Sequence, residues 1–286
     1  MVHLTTMDFL RGLVHDLSFS CSRAFVMLMF SLTLHLQVAS AQNRPADDAS
    51  KTSLDRAPRR SGSIPPGTIL PVRIGSLSSE KSKVGTRLKA RLMQDVPMEN
   101  GEKLRAGSMV LGQVVASTPI APGTMAALTL RFNTVVQRKQ SFSVRTSLRA
   151  MASTLEVQFA QTPTVGPGES DVYDWLPTVQ VGGEVVYGKW GEVTNGDRVV
   201  GRSTYDGVLA QPNAKAGTKC SGAVEANDRP QAFWVFSSDA CGVYSFPDLS
   251  IRHAGRTDPR GEIVLVSGRG AVKIRSGSGM LLRVQR

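Results

Sequence analysis

The strongest constraint on the fold is a period-two alternation of apolar and polar residues that runs through residues 63–160. In the stretch TRLKARL, Leu88, Ala90 and Leu92 alternate with basic residues, and LTLRFNTV and SFSVRTSL follow the same rule. Such alternation is typical of half-buried strands, and turn sequences such as ENGE, RAGS and IAPGT separate the runs. The pattern predicts a mostly β domain, a small water-soluble antiparallel barrel or sandwich with an apolar interior. The stretch SLRAMASTLEVQFA near its end fits a strand or a helix.

A short unit of sequence occurs near both ends of the β-rich region. SIPPGTILPVRI begins at Ser63, and KIRSGSGMLLRV, which begins at Lys273, repeats its outline of a glycine turn followed by alternating apolar residues. The proline pair of the first copy restricts the backbone φ angles and removes amide donors, which favours a strand entrance over an anion-binding loop. We expect the last strand to return and pair with the first domain. The alternative is that each module begins or ends on its own copy.

The N-terminal residues 1–41 have the pattern of a secretory signal peptide. Arg23 precedes the apolar run AFVMLMFSLTLHLQVASA, which ends in an A-x-A pattern formed by Ala39 and Ala41. Residues 42–62 are polar and charged, and they predict a disordered linker. We therefore predict an exported protein, periplasmic, associated with the outer envelope or extracellular, whose mature chain has no transmembrane segment. The alternative is an uncleaved membrane anchor.

The composition changes after a connector at 161–171 that is rich in glycine and proline. Every tryptophan and tyrosine of the chain lies between residues 173 and 244, and we place a second β-rich module at 172–286. Its predicted strands include EVVYGKW, AFWVF and EIVLV. The stretch VTNGDRVV predicts a hairpin, because the pair Asn195-Gly196 tolerates the positive φ angles of a type I′ turn.

Two cysteines, Cys220 and Cys241, lie beyond the predicted leader. An even pair in an oxidising compartment predicts a disulfide bond within the second module. Metal binding by the two thiols is the alternative, but His253 is the one histidine beyond the leader, so a zinc site would lack its usual ligands. We predict neither a metal nor a cofactor.

The chain carries a formal net charge of +11, which suits an anionic partner. For an exported protein, acidic polymers of the cell envelope are better candidates than nucleic acid, which we do not expect as a partner. Candidate anion contacts are the basic residues on the polar side of TRLKARL and those among the C-terminal glycines, namely Arg87, Lys89, Arg91, Arg269, Lys273 and Arg275. The alternative is a basic surface with no dedicated ligand.

The second module offers a candidate ligand platform made of the three tryptophans Trp175, Trp190 and Trp234. Both faces of the AFWVF strand would be apolar, so this run does not show which face is buried. A second hypothesis uses the carboxylates near Trp175 for glycan hydrolysis, since paired acids suit that chemistry; they are Glu169, Asp171 and Asp174. The sequence has no phosphate-binding loop and no nucleophile elbow, and we predict a non-enzymatic protein.

Four motifs follow one another between residues 62 and 150, namely IPPGTILPVRI, VGTRLKARLMQDV, GEKLRAGSMVLGQVV and ALTLRFNTVV with SFSV. In this order they resemble the β-barrel domain of the TrbI-like family, the outer-membrane core subunit of type IV secretion and conjugation systems. The resemblance implies a barrel fold and a place in the cell envelope. Members of that family carry a pore-forming antenna helix in the barrel, and the present sequence departs from them in having no apolar helix of that length.

Together these features predict an exported, non-enzymatic envelope protein with a binding or scaffolding role. Its expected partners are anionic envelope polymers, envelope proteins or further copies of itself. One alternative is the glycan hydrolase, which would need its carboxylates for activity. The other is a divergent component of a secretion or assembly complex, which would oligomerise.

The variant Cys220→Ser is expected to destabilise the second module by about 3 kcal/mol, because the disulfide would close a loop of roughly 20 residues. Thermal unfolding with and without reductant measures this effect. Reductant should lower the melting temperature of the parent protein to that of the variant and leave the variant unchanged. Equal melting of the parent protein under both conditions would refute the pairing.

Overall fold

The computed structural model describes residues 63–98, 100–164, 177–213, 229–253 and 261–285, all of which belong to one compact unit. The predicted signal peptide and linker lie outside these residues. In chain order the elements are β1 (Ile69–Ile74), β2 (Leu77–Ser78), β3 (Arg87–Leu92), β4 (Val96–Pro97), β5 (Lys103–Leu104), β6 (Met109–Thr118), β7 (Ala126–Gln137), β8 (Gln140–Ser143), β9 (Thr146–Ala152), α1 (Thr154–Gln161), β10 (Pro177–Val179), β11 (Val185–Tyr187), β12 (Glu192–Asn195), β13 (Arg198–Thr204), β14 (Gly207–Ala210), β15 (Gln231–Ala232), β16 (Gly242–Tyr244), β17 (Leu249–Ile251), β18 (Ile263–Ser267), β19 (Lys273–Ile274) and β20 (Gly279–Val284).

One large sheet of ten strands dominates the fold. Its neighbours run in the order β16–β9–β20–β1–β3–β6–β7–β18–β17, with β8 paired to β7, and every pair is antiparallel except β16 with β9. The described strands leave this sheet open, and the arrangement is sandwich-like rather than a closed barrel. The two edge strands, β16 and β17, follow each other in the chain and contact each other. The predicted mostly β, antiparallel class is confirmed in its sandwich form.

The main hydrophobic core lies on one face of the large sheet, and the period-two pattern determines which face that is. Leu88, Ala90 and Leu92 of β3 are buried, whereas the alternate residues of the same strand are exposed. The neighbouring strands supply the other large side chains of this core, including Leu70, Val72, Leu128, Leu130, Phe132, Met280 and Leu282. A register slip of one residue would expose the apolar side chains of a strand to solvent. The fold would lose roughly 1.5–3 kcal/mol of stability for each large side chain exposed.

The first and last strands, β1 and β20, are antiparallel neighbours in the large sheet. The two glycine turns noted in the sequence lie at opposite ends of this pair. The Gly67 amide donates to the Val284 carbonyl at 2.8 Å, and the turn has a φ of 83° at the glycine. The Gly277 amide donates to the Ile74 carbonyl at 3.0 Å, with a φ of 94°. The predicted return of the last strand to the first is confirmed.

A second, smaller sheet is an antiparallel meander of six strands in the order β10–β11–β12–β13–β14–β15. Val208 and Phe233, from β14 and the segment after β15, share a second core with Ile69, Ala150 and Leu281 of the large sheet. Consequently β9 and β20 are buried along their whole length, on both faces. The large sheet thus takes strands from both of the modules separated in the sequence, and the small sheet covers part of it.

The predicted hairpin in VTNGDRVV forms between β12 and β13, but its turn lies one residue later than expected. Asn195 pairs with Arg198, so Gly196 and Asp197 are the two turn residues. Of these two, only Gly196 has a positive φ, 58°. A type II′ turn requires a positive φ at its first central residue alone, whereas type I′ requires it at both. The hairpin is confirmed and the type I′ turn is wrong.

The ambiguous stretch SLRAMASTLEVQFA divides into β9 and α1. The side chain of Ser153 accepts a hydrogen bond from the Glu156 amide at 3.2 Å, and this N-cap marks the point where the strand ends and the helix begins. The helix has eight residues. Within the described ranges, no helix is both long and apolar enough to cross a membrane.

The stretch AFWVF, predicted as a strand, is extended only as far as Ala232. Trp234 has a φ of 54°, a conformation that interrupts extended backbone. All five side chains of the stretch are buried, which explains why its sequence has no polar face. The strand prediction for this stretch is therefore wrong beyond its first residue.

A buried arginine and a buried glutamate hold the loop between β15 and β16 against both sheets. Arg149 of β9, 1 % exposed, donates from Nε to the Ala240 carbonyl at 2.9 Å and from Nη2 to the Ser238 carbonyl at 2.7 Å. Glu184, just before β11, accepts hydrogen bonds from the amide and the hydroxyl of Ser238. Burial lowers the pKa of Arg149 to about 10 and raises the pKa of Glu184. These hydrogen bonds therefore attach the loop to β9 of the large sheet and to the residue before β11 of the small sheet.

The same loop leads directly into Cys241, which precedes β16 and is buried. The Cys241 amide donates to the Tyr244 hydroxyl at 3.2 Å. Cys220 lies outside the described residues, so the disulfide between the two cysteines stays a prediction.

Ending the chain after Ser278, which removes β20, is expected to abolish cooperative unfolding. The physical reason is that β20 lies between β1 and β9 in the middle of the large sheet and is fully buried. Thermal unfolding followed by circular dichroism tests this, with a chain that lacks only Arg286 as the control. An unchanged melting temperature after removal of β20 would contradict the topology.

Candidate functional site

Three basic side chains form a row on the exposed face of β3. We call Arg87, Lys89 and Arg91 the basic strip. They are exposed because Leu88, Ala90 and Leu92, which alternate with them, are buried in the core. None of the three makes an ion pair with a residue that the structure describes. Alternate residues on a strand are about 7 Å apart, so the strip presents evenly spaced positive charges.

The surroundings of the basic strip are fixed by the register of the sheet. On one side, Arg73 of β1 lies opposite Arg91. On the other side, Met109, Leu111 and Gln113 of β6 lie opposite Arg91, Lys89 and Arg87 respectively. The strip is thus carried by a strand that is paired on both sides, which holds its backbone in place without a ligand.

The second predicted basic set, Arg269, Lys273 and Arg275, lies near the C-terminus and is also exposed. Arg269 is 3.9 Å from Asp248, which makes a weak surface ion pair, while Lys273 belongs to the short strand β19. No hydrogen bond or ion pair between described residues joins this set to the basic strip. The glycine turn beside it uses its Gly277 amide in strand pairing, which leaves that amide unavailable to an anion.

The three tryptophans proposed as a platform are not equivalent. Trp234 is only 4 % exposed and belongs to the second core. The guanidinium carbon of Arg73 lies 5.2 Å from the centroid of its ring. Trp190 is 74 % exposed. Trp175 lies outside the described residues. Among the described tryptophans, Trp190 is therefore the one that can present its ring to a ligand.

A cavity of about 300 Å³ lies beside the turn that joins β13 to β14. We call it the aromatic cleft. Trp190 and Tyr205, which is 77 % exposed, provide its aromatic surface. Its other polar lining residues are Gln94, Asp95, Lys103, Arg202, Ser203, Thr204 and Asp206. A second cavity of about 290 Å³ is lined by the same turn and shares Ser203, Thr204, Tyr205 and Asp206 with the cleft.

Gln94, which follows β3, fixes the position of the turn that lines both cavities. Its Nε2 donates to the Val208 carbonyl at 2.9 Å and to the Thr204 hydroxyl at 3.3 Å. Its Oε1 accepts from the Trp234 amide at 2.7 Å. The side chain is 1 % exposed, so these hydrogen bonds are shielded from water.

Close packing behind the turn also requires a glycine. A Cβ atom at Gly207 would lie 2.6 Å from the Trp234 Cα and 2.7 Å from the Gln94 Oε1. Any larger residue would push the turn away from Gln94 and Trp234. Gln94 and Gly207 together hold Tyr205 and Asp206 at the rim of the cleft.

The two carboxylates of the cleft differ in their environments. Asp95 accepts hydrogen bonds from Arg105 Nη1 at 2.8 Å and from the Ala106 amide at 2.9 Å. Desolvation, and to a lesser extent the nearby Asp95 carboxylate, raise the pKa of Asp206. Lys103 and Arg202 make no ion pair with a described residue. The cleft therefore offers both donors and acceptors beside two exposed aromatic rings.

Sequence reasoning did not find Asp95, Lys103, Arg202, Tyr205 or Asp206, because they come from segments far apart in the chain. The concentration of tyrosine and tryptophan between residues 173 and 244 was the one indication. The carboxylates of the hydrolase hypothesis, Glu169, Asp171 and Asp174, lie outside the described residues. Among the described residues, no three His, Cys, Asp or Glu side chains are grouped closely enough to hold a metal ion.

No family model, no curated protein and no solved structure matches the chain. The resemblance of residues 62–150 to the barrel of the TrbI-like family therefore stays a prediction.

The variant Gln94→Ala is expected to lower the free energy of unfolding by roughly 1–3 kcal/mol, since it leaves the buried Trp234 amide without its acceptor, whereas the Val208 carbonyl keeps its hydrogen bond from the Phe233 amide. Urea unfolding followed by circular dichroism measures this change. Gln113→Ala, on the exposed face of β6, is the matched control and should change stability little. If both variants unfold at the same urea concentration, Gln94 does not hold the turn.

Proposed function

We propose that this protein is an exported, non-enzymatic binding protein that attaches to anionic polymers of the bacterial envelope through the basic strip. One observation carries the proposal: every outward-facing position of β3 is basic, exposed and without an ion pair to a described residue. Like charges placed side by side repel each other, and an anionic ligand relieves that repulsion.

The spacing of the strip suits a polymer better than a small anion. Charges about 7 Å apart in a row can each meet a different acidic group along an extended chain. Because β3 is held by β1 and β6, binding does not have to order the backbone that carries the charges. The net charge of +11 adds a long-range attraction that brings an anionic polymer to the surface.

The test is retention of the mature protein on purified peptidoglycan at low and at high salt. Retention should be strong at low salt and should fall at high salt, because exposed charges are screened. The triple variant Arg87→Gln, Lys89→Gln, Arg91→Gln should be retained about tenfold less at low salt, because three exposed charge contacts of about 0.5 kcal/mol each together contribute roughly 1.5 kcal/mol.

A variant with the same change in net charge controls for position. Arg269→Gln, Lys273→Gln, Arg275→Gln removes three exposed positive charges elsewhere on the surface and should be retained like the parent protein. Equal loss in both triple variants would mean that net charge alone drives retention. No retention of the parent protein at low salt would refute the proposed partner.

A further inference from the structure

The geometry points to a saccharide-binding site in the aromatic cleft. We propose that a sugar ring stacks on Trp190 and Tyr205 while its hydroxyl groups hydrogen-bond to Asp95, Asp206 and Arg202. This site is separate from the basic strip, and it requires no charge on the ligand.

The aromatic rings support a stacking ligand. Trp190 and Tyr205 are 74 % and 77 % exposed and both line the same cavity. Large aromatic rings combine an apolar face with a polar edge and are favoured at binding surfaces for that reason. Phe159 of α1 is 71 % exposed as well, but it lines neither the aromatic cleft nor the second cavity, so exposure alone does not distinguish the cleft.

The polar lining favours a sugar over a nucleobase as the stacking ligand. A pyranose has an apolar face of C–H groups and a rim of hydroxyls that both donate and accept hydrogen bonds. The carboxylates of Asp95 and Asp206 accept from hydroxyls, while Arg202 and Lys103 donate to them. The same carboxylates would repel the phosphodiester backbone that a nucleobase brings with it.

The cleft is formed before any ligand binds. Gln94 and the close contact at Gly207 fix the turn that carries Tyr205 and Asp206. Asp95 is held by Arg105 and by a backbone amide. The volume of the cleft, about 300 Å³, lies at the lower end of the range for small-ligand sites, and this size suits one or two sugar rings.

The cleft also lies close to the basic strip along the chain. Asp95 follows Arg91 by four residues, so their Cα atoms are at most about 14 Å apart. A polymer whose sugar units carry acidic groups could therefore contact both surfaces. The two proposals remain independent, because a short neutral saccharide probes the cleft alone.

The test is titration of the mature protein with N-acetylglucosamine oligomers at high salt, where the charges of the basic strip are screened. Tryptophan fluorescence and calorimetry report binding. Trp190→Ala and Tyr205→Ala should each weaken binding by about tenfold, the loss expected for an aromatic anchor. Trp190→Phe keeps a ring for stacking and should retain most of the affinity.

Phe159→Ala is the matched control, an exposed aromatic residue outside the cavity, and should bind like the parent protein. Circular dichroism and the melting temperature verify that each variant is folded. The triple variant of the basic strip should bind the neutral oligomers unchanged. The binding of neutral oligomers at high salt tests the cleft alone, and salt-dependent retention on peptidoglycan tests the basic strip. Failure of one proposal is therefore distinguishable from failure of the other.

Several results would overturn the saccharide site. One is that the parent protein does not bind the oligomers, and another is that Trp190→Ala binds them as tightly as the parent protein. Tighter binding of a single-stranded oligodeoxynucleotide than of the sugar, lost in the same variants, would assign the cleft to nucleic acid. Shortening of the oligomers, detected by mass spectrometry, would replace binding with hydrolysis by the Asp95 and Asp206 pair.

Discussion

The antiparallel pairing of β1 with β20 is the interaction on which the rest of the described structure depends. It joins strands separated by most of the chain, and it places both in the middle of the large sheet. Leu70 and Leu282 of this pair face the main core, while Ile69 and Leu281 face the second core beneath the small sheet. Closing so long a loop is entropically costly, and burial on both faces of the pair offsets that cost.

β9 pairs with β20 beside this pair, and the small sheet packs on the surface that the three strands provide. Arg149 then determines how the loop before β16 passes between the two sheets, because its guanidinium donates to the backbone carbonyls of Ser238 and Ala240. Burying an arginine carries a desolvation cost, which is consistent with its lowered pKa of about 10. Hydrogen bonds with defined geometry compensate for that cost only in one arrangement, so the network favours a single path for the loop.

The two candidate surfaces follow from this framework in different ways. The basic strip belongs to one strand, and its residues could be predicted because a period of two assigns alternate positions to opposite faces. The aromatic cleft is assembled from the segment after β3, from β5, from the link between β11 and β12, and from β13 with its turn. No local pattern relates those segments, so Trp190 was the one cleft residue that sequence reasoning selected.

The sequence by itself determined the strand-rich class, the core face of β3, the hairpin between β12 and β13 and the return of the last strand. The first three depend on alternation or on turn residues, which act over a few positions, and the return was indicated by the unit repeated near both ends of the chain. Only the tertiary structure decided that Trp234 lies in the core beside Arg73, that AFWVF is not a strand, and that the described strands leave the sheet open. Those outcomes depend on what covers the second face of a strand, and packing between distant segments decides that.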